Sequence, residues 1–196
     1  VGAGAGAGAT SPVVADLGNG GAGAFLEDRQ QRKRIGLKGP LAAEWLQQCG
    51  ISIPERANSW TAITASENDV VMRLGATEFF FEQSVYAEEF TTLANALASP
   101  VPGVYPVLRE DRAFVLGGSL ADAVLAQVCN VNFRSLALIE RHAVMTMMTG
   151  VAVTVVPQGN VAQRRYLIWC DPSFGDYLWS SLSDVVADIT NTGGSS

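Results

Sequence analysis

The chain has 196 residues, 48% of them hydrophobic and 16% charged, with a net charge of −6. That length suits one sizeable domain, and that apolar content excludes global disorder. With 13 basic against 19 acidic residues and no long basic stripe, nucleic acid is not the expected partner.

The opening "VGAGAGAGATSPVVADLGNGGAGAF" has neither a charged n-region nor a solid apolar block. It reads as a flexible arm over residues 1–25 rather than a signal peptide. No apolar run reaches the roughly 18–20 residues that a membrane span needs. Cys49, Cys129 and Cys170 lie far apart with no CxxC, and an odd count without an export signal fits a reducing cytoplasm.

A single domain is expected over residues 26–190, in two similar halves of about 26–100 and 101–190. In the first half, Arg34 to Lys38 is a strand that turns at Gly39-Pro40. Pro40 suits a first helical position, where its missing N–H costs nothing. Leu41, Trp45, Leu46 and Cys49 then make one apolar helix stripe. "ANSWTAI", "DVVMRLG" and the aromatic "ATEFFFEQ" read as strands. "SVYAEEFTTLANALA" is helical, with Tyr86, Phe90, Leu93 and Leu97 on one face, and "SPVPG" ends it.

The second half repeats this plan. "YPVLREDRAFVLGG" is a strand pair or a long bent strand. A helix follows with Leu120, Val124, Leu125 and Val128 in the phase of Leu41, Trp45, Leu46 and Cys49. "AVMTMMTGVAVTVVP" is two strands broken at Gly150, and "YLIWCD" is the counterpart of "EFFFEQ". Asp171-Pro172 caps and opens a helix carrying Tyr177, Leu178, Leu182, Val185, Val186 and Ile189. The offset between halves grows from about 79 to about 88 residues, and the polar "PQGNVAQRR" takes up the difference. Residues 191–196, "NTGGSS", read as a disordered tail. The fold class is α+β, a duplicated strand–helix–strand–strand–helix unit with helices on one face of a mixed or antiparallel sheet. Gly39 and Gly118 read as turn glycines, since neither lies in a GxxxxGK[ST] or GxGxxG pattern.

Candidate chemistry is sparse. His142 is the only histidine, so a histidine zinc site is excluded. Cys49 and Cys129 fall on apolar helix faces and Cys170 at a strand end, where cysteine behaves as a small hydrophobe. The carboxylate pairs Glu88-Glu89, Glu110-Asp111 and Glu67/Asp69 stand among polar turn residues and read as solvated charge. "RQQRKR", Arg29 to Arg34, is the one basic cluster and reads as a solvated strand entrance or a docking patch.

"RIGLKGPLAAEWL", "RLGATEFFFE", "VYPVLRED", "FVLGGSLADAVLAQVCNVNF", "MTMMTGVAVTVV" and "YLIWCDPSFGDYLWSSL", in that order, resemble the gamma subunit of heterotetrameric sarcosine oxidase. The resemblance implies a glycine-cleavage T-protein-like folate-binding domain fold. It implies alpha, beta and delta partner subunits, which hold FAD, FMN, NAD, tetrahydrofolate and zinc, with no cofactor, metal or catalytic residue on this chain. It also implies a complex that demethylates sarcosine oxidatively to glycine, with hydrogen peroxide and a one-carbon unit passed to tetrahydrofolate. Related complexes act on N-methylglutamate. The rival readings are a free-standing folate-binding protein and a thiol hydrolase. For a subunit that works through surface, the interface candidates are Arg32, Lys33, Arg34, Trp60, Arg164, Arg165 and Trp179. The arginines and the lysine would form a polar rim, and Trp60 and Trp179 the anchors.

Overall fold

A computed structural model describes residues 23–64, 67–84, 88–99 and 101–193. The first unit runs β1 (Phe25–Asp28), β2 (Lys33–Lys38), α1 (Ala42–Gln48), β3 (Ser59–Ala62), β4 (Val70–Arg73), β5 (Glu78–Gln83) and α2 (Glu88–Ala96). The second runs β6 (Tyr105–Val107), β7 (Arg112–Gly117), α3 (Ala121–Val128), β8 (Val144–Met148), β9 (Val151–Gly159), β10 (Arg164–Cys170) and α4 (Gly175–Gly193). Two 3-10 turns, Phe133–Ser135 and Leu138–Glu140, join α3 to β8, and a third, Pro172–Phe174, precedes α4. The architecture is α+β, as expected, and its strands form two antiparallel sheets.

The sheets are ordered β3-β4-β5-β2-β6 and β8-β9-β10-β7-β1. Each is the other's plan, unit for unit. The outermost strands are traded, however. β1, from the first unit, pairs with β7 of the second, and β6, from the second, pairs with β2 of the first. β6 and β7 are therefore two strands in different sheets, and the β1 strand lies where the sequence reads as the end of the arm. The remainder of that arm, residues 1–22, lies outside the described residues.

The two glycines that caught attention in the sequence serve this trade. Gly39 (φ 137°) and Gly118 (φ 102°) both sit in conformations that side chains rarely adopt. A Cβ on Gly39 would lie 2.2 Å from the Gly103 carbonyl oxygen, and one on Gly118 would lie 2.2 Å from that of Gly23. Those carbonyls accept the Leu41 and Leu120 backbone N–H groups, each at 3.1 Å. The incoming strand thus satisfies a helix-entry amide, one of the orphan donors every helix leaves.

The sheets also touch through their other edges. Ser59 and His142 form an antiparallel bridge. Trp60 N–H donates to the Arg141 carbonyl and Ala143 N–H to the Asn58 carbonyl, each at 2.9 Å. Asn58 (φ 57°) and Arg141 (φ 49°) are both left-handed there.

Three apolar layers result. Leu46 of α1 and Leu93 of α2 pack onto Leu37, Val71, Phe79 and Phe81 of the first sheet. Leu125 of α3 and Leu178 and Leu182 of α4 pack onto Phe114, Val155 and Ile168 of the second. Trp60, Met72, Phe80, Val156, Leu167 and Trp169 fill the space between the sheets. Strand alternation sorts "EFFFE" accordingly: Phe79 and Phe81 face helices, while Phe80 and Glu82 face the other sheet.

Three expectations need adjustment. Leu41 is 46% exposed and Cys49 exposed, so the α1 stripe narrows to buried Ala42 and Leu46 with Trp45 half-buried beside them. The helix is only seven residues long, and Leu41 precedes it, leaning on Gly103. Tyr177 is likewise exposed, whereas Leu178, Leu182 and Val186 are buried. The tail expected from residue 191 gives its first three residues to α4, which reaches Gly193. Tyr86 and the side chains of Glu88, Glu89 and Phe90 lie outside the described residues.

Candidate functional site

The densest polar chemistry lies between the sheets, around Glu82. Its side chain is fully buried, and β2–β5 register sets Arg34 directly across from it. Arg34 Nε donates to Oε2 at 2.8 Å. Trp169 Nε1, from β10 of the other sheet, donates to the same oxygen at 2.7 Å. Arg29 Nε donates to Oε1 at 2.8 Å and its Nη2 to the Asn68 carbonyl at 2.9 Å. Arg32 pairs with Asp69 and places Nε 3.3 Å from Glu82 Oε1. Asp69 also accepts from the Ser84 N–H at 3.0 Å.

A carboxylate so buried needs partners on every lone pair, and these donors supply them. Burial, above all, holds the Arg29 guanidinium below its ordinary range; Glu82 opposes that, while Arg32 and Arg165 add to it. The site binds the β1–β2 connection to β5 and joins both sheets through Trp169.

This geometry relocates much of the basic cluster. Arg29 and Arg34 are interior side chains and Arg32 is largely buried, so they do not form a solvated rim. The physical reason is the buried Glu82 carboxylate, whose uncompensated charge would be costly and which draws the guanidinium groups inward. Lys33 alone of residues 32–34 is exposed. Arg164 is half-buried and donates to the Phe133 carbonyl at 2.8 Å, pinning a 3-10 turn. Arg165, on the face of Leu167 and Trp169, points toward the inter-sheet layer.

Trp60 is 3% exposed and lies under Arg141, whose guanidinium carbon is 4.8 Å from the ring centroid. It is a core residue and offers no anchor to a surface. Trp179 is half-buried, with its ring tilted against Phe114 at 5.5 Å.

The other groups weighed for chemistry are held in place or insulated. Burial, chiefly, pushes the Cys170 thiol up to about 11, which keeps it protonated and a poor nucleophile near neutrality. Tyr166 is raised further by burial and by its bond to Asp122. That bond lies beside an open groove of ≈ 440 Å³ lined by Asp122, Cys129, Asn130 and Arg134. His142 lies at the bridge between the sheets. Among the described residues, no three His, Cys, Asp or Glu side chains gather where they could hold a metal ion.

No protein-family model matches the sequence, and no curated protein matches it either. Solved structures do. One is the heterotetrameric sarcosine oxidase from Corynebacterium sp. U-96 in complex with pyrrole 2-carboxylate. Its TM-score is 0.68 and its identity 20%, covering 88% of this chain and 88% of that one. Another is the glycine cleavage system aminomethyltransferase T from Bartonella henselae, at TM-score 0.59 and 16% identity. The chain has the aminomethyltransferase T fold. It covers 45% of the length of that aminomethyltransferase and 82% of its own. At these identities the likeness is one of fold. No helix among the described residues is long and apolar enough to cross a membrane.

Proposed function

We propose that this chain is the structural gamma subunit of a heterotetrameric sarcosine oxidase. One observation carries the reading: the match to a chain of such an oxidase covers 88% of both chains. The aminomethyltransferase, by contrast, extends well past the matched region. In this reading the chain buries surface of a larger subunit and carries no catalytic residue itself. The alpha, beta and delta subunits hold FAD, FMN, NAD, tetrahydrofolate and zinc. The cytoplasmic complex demethylates sarcosine to glycine, forms hydrogen peroxide and passes the one-carbon unit to tetrahydrofolate. An exposed apolar surface supports a role in assembly. Met145 and Met147 on β8 are more than half exposed, and Ile139 just before them more so. Side chains of that kind mark interfaces when they cluster.

The test is to co-express the chain with its candidate partners and weigh the product by native mass spectrometry. The expected result is one copy in a four-chain assembly whose sarcosine-dependent peroxide production falls when this chain is left out. A monomer that binds none of them and changes neither their yield nor their activity would overturn the reading.

A further inference from the structure

Register makes the two sheets comparable residue by residue. Tyr105 lies opposite Lys38 as Phe25 lies opposite Gly117, so Arg109 and Arg29, each four residues on, are counterparts. Glu78 lies opposite Lys38 and Arg165 opposite Gly117, so these two are counterparts as well. In the first sheet Arg109 crosses the Phe80 ring at 5.3 Å and donates to Glu78 at 2.9 Å. In the second sheet an arginine stands where that carboxylate would be.

Arg165 has no local substitute for it. Among the described residues, no side-chain hydrogen bond and no ion pair reaches its guanidinium. Arg29 turns away to Glu82. Both Glu82 oxygens are taken by Arg29, Arg34 and Trp169, and Asp69 is taken by Arg32 and the Ser84 N–H. Glu67 is close in the chain fold, since Gln158, the cross-strand partner of Arg165, donates to its carbonyl at 2.6 Å. Its carboxylate nevertheless lies 3.6 Å from Arg141. Arg29, Arg32 and Arg34 therefore share two carboxylates, and Arg165 is left with none. Arg165 is half-buried, so solvent screens it only in part and a ligand can still reach it.

We propose that Arg165 is a binding site for an oxyanion: a carboxylate, sulfate or phosphate group. The ligand would complete in the second sheet what Glu78 completes in the first, through the charge-assisted, forked hydrogen bonding that guanidinium offers such groups. The site goes beyond the structural role proposed above and does not depend on it.

The test replaces chloride by sulfate at constant ionic strength and follows the thermal unfolding midpoint of the full chain and of Arg165→Gln. Sulfate stabilises folded proteins generally by exclusion from their surface, so the difference between the two proteins decides. The unsubstituted chain is expected to gain an additional, saturating rise, as one bound ligand produces. Arg165→Gln is expected to lack it, and in chloride to be at least as stable, because like-charge repulsion has been removed. Equal sulfate responses, or a variant less stable in chloride, would overturn the proposal. Nitrogen-detected NMR of the arginine side chains needs no variant. A saturable shift of one guanidinium set on adding sulfate is expected, and its absence would also overturn the site. The same titration on the native assembly separates two sources of the anion. Loss of the response assigns the oxyanion to an acidic side chain of another subunit, and retention to a free ion.

Discussion

At the centre of the molecule, equivalent positions of the two halves carry different chemistry. Arg34 and Glu82 face each other across β2 and β5, while Ala113 and Trp169 hold the matching places on β7 and β10. Away from that centre the halves agree closely. Leu46 of α1 and Leu125 of α3 are both buried, and Gly39 and Gly118 both make room for a carbonyl. The difference follows from the seam between the two sheets, where Ser59 bridges His142 and Glu82 bonds Trp169. Residues near it meet their own counterparts, so a charge repeated in both halves would meet its like. Glu82 instead meets Trp169, an acceptor against a donor, at 2.7 Å. Duplication supplies the scaffold, and the two copies must then differ wherever they touch.

The sharpest way to break that comparison is Glu82→Gln. Three arginines would lose their common acid, and removing one member of a buried ion cluster typically costs about 3–5 kcal/mol. Urea unfolding would show it as a lowered midpoint at unchanged slope. Trp169→Phe removes the donor and part of the buried indole but leaves the acid paired with its arginines, so it is expected to cost less, about 1–3 kcal/mol. Should Glu82→Gln prove the milder of the two, the cluster is not held by its acid. Next come Leu46→Ala and Leu125→Ala, each expected to cost about 2–5 kcal/mol through lost transfer energy and a cavity. A change within about 0.5 kcal/mol at either, the behaviour of surface sites, would show the halves are not alike there.

Gly39→Ala and Gly118→Ala are expected to be smaller and similar, on the order of 1–3 kcal/mol, since both force a strained backbone and a shift of the incoming carbonyl. A large effect at one and none at the other would mean that only one traded strand matters. The smallest effect concerns Asp171, which caps the turn before α4. Its hydrogen bonds from the Ser173 hydroxyl and N–H hold its carboxyl below the usual range. A depressed folded-state pKa contributes stability above the unfolded value, and that contribution fades as pH falls through the folded one. Chain and Asp171→Asn should therefore differ slightly at neutral pH and converge in acid, by thermal melts across pH 2 to 7.

Much of the scaffold was legible because it rests on local chemistry. The Gly39 and Gly118 turns, the dense aromatics of β5, the break at Gly150 and the Asp171-Pro172 cap each state their own structure. β1 was not legible: "FLED" follows a Gly/Ala run, and its partner strand lies in the other unit. The trade of β1 and β6 left no local mark, since β6 and β7 are adjacent in sequence and read as a pair. The Glu82 site could have been suspected. In "EFFFEQ" both faces of the strand are apolar, so Glu82 had to be buried and its neighbours had to include cations. "RQQRKR" looked like a surface feature because sequence shows charge but not which sheet will cover it.

The traded strands have a consequence for how the protein is made. Among the described residues, Phe25–Asp28 pairs with Arg112–Gly117 alone, and translation runs at roughly 5–20 residues per second. β1 thus waits on the order of 5–20 s for its partner, a long-range closure of the kind that slows folding. Neither unit finishes its own sheet, so a nascent chain stopped at residue 100 holds two incomplete edges. Such edges invite pairing with other chains. A pause in synthesis before Gly117 would therefore be the most hazardous moment in the life of this polypeptide.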